Sequence, residues 1–249
     1  MNVWCVIPAR YGSTRFPGKP LALIGDKPMI QWVYEKALQA KSIDRVLVAT
    51  DDRRILQTVQ DFGGQAVMTP SELPSGTDRV AFAVKDEAVD VVINLQGDEP
   101  FVQPELLDAL ADVFAQRDDV HLATPIKRIT RYEELIDPNL VRVVIDKDGW
   151  ALYFTRSVIP YLRDVPEQSS WPEHFPFFKH VGIYAYRKEF LLEFTKWASG
   201  ALEQAERLEQ LRVLENGRKI FTVQTEYESF SVDTPQDLKK INQLLTQKK

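Results

Sequence analysis

Four short apolar runs, Val3 to Ile7, Arg45 to Ala49, Ala66 to Met68 and Val91 to Leu95, have the length and make-up of buried strands. Between them the apolar positions change period. Met29, Ile30, Val33, Ala37 and Leu38 fall on one helical face, Ile55, Val59 and Phe62 on a second, and Val80, Ala83 and Val84 on a third that starts at Gly76-Thr77. Gly63-Gly64 is a good stop for the second of these helices. Strands alternating with helices predict right-handed βαβ units and a parallel sheet. Such sheets receive ligands beyond the carboxyl ends of their strands, which directs attention to the loops starting at Pro8, Thr50 and Gln96.

After about Phe101 the rhythm alters. A helix is predicted over Pro104 to Gln116, then strands at about His121 to Lys127 and Val141 to Ile145. The turn Asp146-Lys147-Asp148-Gly149 leads into Ala151 to Thr155, a hairpin signal. Pro160 to Phe178 is rich in prolines and aromatics, has no clear period and reads as a mobile loop. A strand at Val181 to Tyr186, helices around Phe190 and Leu208, a strand at Ile220 to Gln224 and a helix from Pro235 follow. No linker divides the chain, so residues 1–249 read as one α/β domain.

At 249 residues and 44 % hydrophobic composition, the chain can bury a substantial core. A formal net charge of −5 with no long Lys/Arg block argues against a polynucleotide partner, whose phosphates demand a basic surface. It leaves room for one small phosphate ligand held by a local cluster of cations. Cys5 is the only cysteine, which excludes an internal disulfide and a four-thiolate zinc site. No run approaches the roughly 18 apolar residues that would span a bilayer, and Met1-Asn2-Val3 leads directly into the first apolar run without a basic signal region. A cytosolic protein is expected.

Chemistry concentrates at two places. Pro8 to Pro20 carries Arg10, Arg15 and Lys19 with Gly12 and Gly18, a loop able to cradle a polyphosphate with amides and cations together. It is neither a Walker A loop, since five residues separate its glycines and Pro20 follows Lys19, nor a dinucleotide fingerprint. Asn94-Leu95-Gln96-Gly97-Asp98-Glu99-Pro100 follows the most apolar strand and offers Asp98 at the same sheet edge, where a carboxylate can hold Mg²⁺ together with phosphate oxygens, or simply end a strand in a turn. Asp233 precedes the final helix, where it or Thr234 can serve as N-cap. Whether Asp98 and Asp233 meet is a question for the tertiary structure.

The segments IPARYGSTRFPGKPL, VATDD, SGTDRV, NLQGDEP, ALYFTRSVIP, HVGIYAY, LEQLRVLE and VDTPQDL occur in the order seen in CMP-KDO synthetases, the 3-deoxy-manno-octulosonate (KDO) cytidylyltransferases. The chain resembles that family from about Val3 to the final helix. The resemblance implies a Rossmann-like nucleotidyltransferase with a mostly parallel central sheet and a smaller dimerisation subdomain at roughly residues 125–215. It implies the reaction of CTP with KDO to give CMP-KDO and pyrophosphate for lipopolysaccharide assembly, with Mg²⁺ as cofactor and a cytoplasmic homodimer as the working form. Arg10, Ser13, Arg15, Lys19 and Asp98 match positions around the triphosphate, and Ser75, Gly76 and Arg79 the region that receives cytidine. Asp98 and Asp233 match metal ligands, and with Arg10 and Lys19 they form the implied catalytic set. Gln96, Arg156, His180, Tyr184, Glu209 and Gln210 match positions near the sugar acid. On their own, His180 and Tyr184 read equally well as strand packing, and Glu209 and Gln210 as the solvent side of a helix.

Four alternatives compete. Sialic-acid activators share the opening loop but typically carry Asn after its lysine, where this chain has Pro20. An 8-amino relative of KDO differs by a single amino-for-hydroxyl exchange. A non-catalytic nucleotide-binding protein would be expected to lack a loop cation or a metal aspartate, and a uridylyltransferase to lack the HVGIYAY and LEQLRVLE segments.

Overall fold

The computed structural model describes residues 1–12 and 16–247. The first half follows the predicted alternation. Strand β1 (Val3–Ala9) leads through a short hairpin, β2 (Leu23–Ile24) and β3 (Lys27–Pro28), into α1 (Met29–Ala37). Then come β4 (Arg45–Thr50), α2 (Arg53–Asp61), β5 (Ala66–Met68), α3 (Gly76–Val84), β6 (Val91–Asn94) and α4 (Pro104–Gln116). β5, β4, β1 and β6 lie side by side and parallel, so the carboxyl ends of β1, β4 and β6 share one edge.

These strands read as unbroken apolar runs because both of their faces are covered. Along β1, Val3, Cys5, Ile7 and Ala9 enter one core cluster, while Trp4 and Val6 enter the other. Ile30, Val33 and Ala37 of α1, Ile55 and Val59 of α2 and Leu106, Leu107 and Leu110 of α4 pack on the first face. Val80 and Val84 of α3 pack on the second. Each fully buried aliphatic side chain contributes roughly 1.5–3 kcal/mol by leaving water, which is why the apolar runs of the strands and the helical period between them are so firmly written.

The second half contains β7 (Leu122–Arg128), α5 (Tyr132–Ile136), β8 (Arg142–Ile145), β9 (Ala151–Thr155), α6 (Trp171–His174), β10 (Phe178–His180) and β11 (Tyr184–Arg187). After these come α7 (Lys188–Phe194), α8 (Ala201–Glu206), α9 (Leu211–Glu215), β12 (Phe221–Gln224) and α10 (Pro235–Gln247). The sheet continues from β6 through β11, β7, β10, β8 and β9, with β12 paired to β7. β11 and β10 run antiparallel to their neighbours, while β7 and β12 keep the direction of β1 and β6. The sheet is therefore mixed but mostly parallel in direction, as expected. No helix among the described residues is long and apolar enough to cross a membrane.

Three expectations need correction. The strand expected at Val181 to Tyr186 starts only at Tyr184 as β11, and a separate short strand, β10, precedes the turn at Val181 to Ile183. A tight turn with Ile183 N–H donating to the Val181 carbonyl at 2.7 Å re-aims the chain, so β10 pairs with β7 and β8 whereas β11 pairs with β6 and β7. The stretch expected to be a mobile loop, Pro160 to Phe178, includes α6 and builds a cluster of its own, with Trp171 and Phe177 buried against Ile129 and Leu135. Aromatic side chains without a regular period pack around one another here instead of along a sheet or helix. Leu208, finally, lies between α8 and α9 and not within a helix; Arg207 takes a left-handed conformation (φ 57°) that ends α8.

Candidate active site

The loop after β1 is shaped by Gly18. Its φ of 72° is readily available only to glycine, and its N–H donates to the Tyr11 carbonyl at 2.9 Å. Pro20 then starts a 3-10 turn over Lys19–Leu21, the kind of position where its missing N–H is not needed. Lys19 Nζ donates to Asp98 Oδ2 at 2.6 Å and to Asp233 Oδ1 at 3.3 Å. The two acids thus meet across one ammonium group, although 135 positions separate them in the chain.

Each acid is brought there by local structure. Asp98 sits in the turn beyond β6, and Gly97 lets that turn close on the end of β1: a Cβ at Gly97 would stand 3.2 Å from the Pro8 carbonyl oxygen. Asp233 arrives on the connection between β12 and α10. Thr234 caps α10, accepting from Asp237 N–H at 3.2 Å while its own N–H donates to Asp237 Oδ2 at 3.0 Å, a reciprocal cap that leaves Asp233 to face Lys19. Val232 N–H donates to the Asp98 carbonyl at 3.0 Å. Glu99 is buried, and burial pushes its carboxyl up to about 7; the hydroxyls of Ser229 and Tyr227 bind it and oppose that rise, to which Asp98 and Asp233 add.

Lys19, Asp98 and Asp233 line a cleft of about 650 Å³ together with Arg10, Ser75, Gly76, Arg79 and Gln96. At its far end Arg79, 3 % exposed, is held by Asp51 at 2.8 Å, by the Thr69 hydroxyl and by the Pro70 carbonyl at 3.2 Å. Ser75 caps α3 by accepting from Asp78 N–H at 3.1 Å, and so fixes the wall where helix and cleft meet. A second cleft of about 680 Å³ shares Ser75, Gly76 and Gln96 with the first and continues past Glu209 to Arg212 and Trp197.

Of the remaining candidates, Gln96 and Glu209 are joined by a chain of buried polar groups. Gln96 Nε2 donates to Asn94 Oδ1 at 3.2 Å, Asn94 Nδ2 to Thr77 Oγ1 at 3.3 Å, and Thr77 Oγ1 to Glu209 Oε2 at 2.5 Å. Burial raises the Glu209 pKa against the pull of its bonds to Thr77 and Ser75. Tyr184 pairs in register with Asn94, and its hydroxyl is raised by burial and by Glu209. The His180 ring lies tilted against Tyr184 with centroids 5.2 Å apart and edge-to-face with Phe154 at 5.3 Å. Burial pushes the imidazole down to about 3, so it is neutral at physiological pH. Thr124 Oγ1 is 2.8 Å from His180 Nε2 and 2.8 Å from the Ile183 carbonyl. The hydroxyl has one proton to give, and donating it to Ile183 assigns the imidazole proton to Nε2. Gln210, 5 % exposed, has an Nε2 with no hydrogen-bond partner among the described residues. Arg156 stands apart, donating to the carbonyls of Glu206 at 3.2 Å, Pro138 at 3.2 Å and Asn139 at 3.4 Å. Ser13 and Arg15 lie outside the described residues.

A family model for cytidylyltransferases matches residues 4–220. A 3-deoxy-manno-octulosonate cytidylyltransferase of Thermodesulfovibrio yellowstonii is 51 % identical over 242 residues, covering 94 % of each chain. One from Geobacter sulfurreducens is 46 % identical, covering 97 % of this chain and 98 % of its own. A solved structure of a CMP:2-keto-3-deoxy-manno-octonic acid synthetase complexed with CTP superposes with a TM-score of 0.92 at 43 % identity, covering all of both chains. The chain belongs to this cytidylyltransferase family.

Asp51, Asn94 and Thr77 were not singled out as site residues by sequence reasoning. Asp51 had a signal: it lies in the loop that starts at Thr50, beyond the carboxyl end of β4, where the parallel-sheet rule points. Asn94 and Thr77 had none that a sequence displays, because a polar residue inside a strand or helix becomes informative only once its burial is known.

Proposed function

We propose that this chain is a 3-deoxy-manno-octulosonate cytidylyltransferase, which transfers CMP from CTP to the 2-hydroxyl of KDO and releases pyrophosphate. The observation that carries this reading is the convergence of Lys19, Asp98 and Asp233 at one end of a cleft whose walls are Arg10, Ser75, Gly76, Arg79 and Gln96. In the transfer, the 2-hydroxyl oxygen forms a bond to the α-phosphorus as the bond from that phosphorus to the bridging oxygen breaks. The electron pair leaves with pyrophosphate, and the hydroxyl proton is lost to solvent. Positioning and charge stabilisation supply most of the acceleration in such a displacement.

Arg10 and Lys19 are the cations that face the cleft and would bind triphosphate oxygens, stabilising the charge that grows on the leaving group. Arg79, fixed by Asp51, Thr69 and Pro70, would bound the cytidine end. Asp98 and Asp233 fit a magnesium ion. They are two hard oxygen donors already drawn together around a cation, and Mg²⁺ prefers one or two carboxylates with the rest of its shell from phosphates and water. When bound, it would lower the pKa of the sugar hydroxyl and neutralise phosphate charge.

The sugar acid would occupy the junction of the two clefts, beside Gln96, Tyr184 and Glu209. The amide of Gln210, next to Glu209 in the chain, is buried without a hydrogen-bond partner among the described residues, which costs about 1–3 kcal/mol. Arg156 would reach a sugar carboxylate only by releasing its carbonyl partners. Product use in lipopolysaccharide assembly, a cytoplasmic location and a homodimer built on residues 125–215 complete the reading, the last supported by exposed apolar side chains such as Leu152 in that segment. The test is pyrophosphate release from CTP and Mg²⁺ with KDO, 8-amino-KDO and sialic acid in parallel. Turnover with KDO well above the others is expected. Turnover only with another acid would overturn the acceptor, and silence with all three, from folded protein that binds CTP, would overturn the activity.

A further inference from the structure

The turn that carries Asp98 holds a second carboxylate for which the reaction above has no use. Glu99 is 4 % exposed, and both of its oxygens are taken by one segment: Oε2 accepts from Tyr227 Oη at 3.0 Å and Oε1 from Ser229 Oγ at 2.5 Å. That segment, residues 225–234, joins β12 to α10 without a helix or strand of its own, and it delivers Asp233. Connections of this kind wander unless they are tied. This one is tied toward β7 and β10 by Thr225 N–H to the Ile126 carbonyl at 2.9 Å and by Glu228 to Lys127 at 2.9 Å and Lys179 at 2.5 Å, and farther along by Glu99 to Tyr227 and Ser229, by Val232 N–H to the Asp98 carbonyl at 3.0 Å, and by the burial of Val232 beside Ile24, Met29 and Ile241. The ties to Glu99 and to the Asp98 carbonyl are made to the Asp98 turn itself.

We propose that Glu99 is a positioning residue that latches the 225–234 connection onto the Asp98 turn and thereby sets the separation of the Asp98 and Asp233 carboxylates for a divalent cation. Glu99 acts through Tyr227 and Ser229 and touches neither the cation nor the substrates. A buried carboxylate suits the task because it offers an acceptor oxygen to each of two hydroxyls, and burial keeps water from competing for them. A glutamine retains one acceptor oxygen, and a hydroxyl can rotate to accept from its amide, so Glu99→Gln preserves the latch while Glu99→Ala removes it. The proposal rests on Asp98 and Asp233 being the metal ligands.

The experiment is a titration of the full-length protein with Mn²⁺ in the absence of nucleotide, followed by the paramagnetic resonance signal of free Mn²⁺. The half-saturating Mg²⁺ concentration for pyrophosphate release and the KM for CTP at saturating Mg²⁺ are measured alongside. Loss of groups that orient metal ligands typically weakens metal binding about 10–100-fold. Glu99→Ala is therefore expected to weaken Mn²⁺ binding and raise the half-saturating Mg²⁺ at least about tenfold with the KM for CTP unchanged. Glu99→Gln is expected to restore both metal readouts. Should Glu99→Ala fail to fold, the double variant Tyr227→Phe/Ser229→Ala removes the same two hydroxyls while keeping the Tyr227 ring in the core, and it is expected to show the same metal defect. Wild-type Mn²⁺ affinity in a folded Glu99→Ala or double variant overturns the latch, as does failure of Glu99→Gln to restore it. Asp98→Asn and Asp233→Asn separate the two readings. If both keep wild-type Mn²⁺ affinity, the metal reading itself is wrong; if both lose it while the latch variants do not, only the latch is wrong.

Discussion

The His180 ring packs against Phe154 and Tyr184, and burial lowers its pKa from an ordinary 6.5 to about 3. Between those values the unfolded chain binds a proton that the folded chain refuses. The stability tied to the neutral ring is thus fully present above about pH 6.5 and is lost as pH falls, at up to about 1.4 kcal/mol per pH unit. Urea unfolding at pH 7 and pH 5 should show a larger loss for the wild type than for His180→Gln; equal losses would mean that the imidazole is not shielded. Lys19 carries a different expectation, because it is bonded to both aspartates and faces the phosphate end of the cleft. Hydrogen bonds to charged groups contribute about 1.5–3 kcal/mol, so Lys19→Ala should raise the KM for CTP roughly ten- to hundredfold while binding of the sugar acid, read by calorimetry, stays close to wild type. Equal loss of both would point to misfolding.

At the scale of elements, the catalytic edge depends on how tightly the ends of β1 and β6 approach. Gly97 is the point of contact, where a Cβ would press on the Pro8 carbonyl oxygen at 3.2 Å. Gly97→Ala should force the loop after β1 and the turn after β6 apart, separating Lys19 from Asp98. The expected result is a fall in kcat out of proportion to the fall in melting temperature, measured on the same preparation; normal turnover would show that the edge tolerates the displacement. Elements also mark where periodicity stops being informative. β1, β4 and β6 are covered on both faces and read plainly as apolar runs, and α1, α2 and α3 show one apolar face each. The expected strand loses its first three residues to a turn at Gly182, yet the run stays apolar there, because Val181 and Ile183 are buried on either side of the glycine. Nothing in the hydrophobic pattern distinguishes that run from one strand.

Across the whole molecule, the first half lines the phosphate cleft apart from Asp233, and the second half supplies Glu209, Arg212 and Trp197 to the adjoining cleft. The second half also carries the exposed apolar side chains Leu152 and Tyr161, at 59 % and 76 %. A homodimer joined through this region would cover them. Leu152→Lys should then shift the protein from dimer to monomer in sedimentation at micromolar concentration while leaving the single-chain fold intact by circular dichroism. An unchanged sedimentation coefficient would place any association elsewhere.

The alternation of strands and helices, the edge at which ligands bind, the cations of the Pro8 to Pro20 loop and the acid at Asp98 were all legible in the chain, because each is written in local period or local composition. Family likeness added Asp233 and the residues around the sugar acid. Tertiary structure alone decided that Asp98 and Asp233 meet across Lys19, that Gln96 and Glu209 are joined through Asn94 and Thr77, that Arg156 turns to backbone carbonyls, and that Glu99 binds the connection bearing Asp233. Each of these is a contact between parts of the chain far apart in sequence, made by polar side chains whose hydrogen bonds depend on burial and direction. A one-dimensional pattern of hydrophobic and polar positions records where the chain is buried, and carries neither the direction of a side chain nor the identity of its partner.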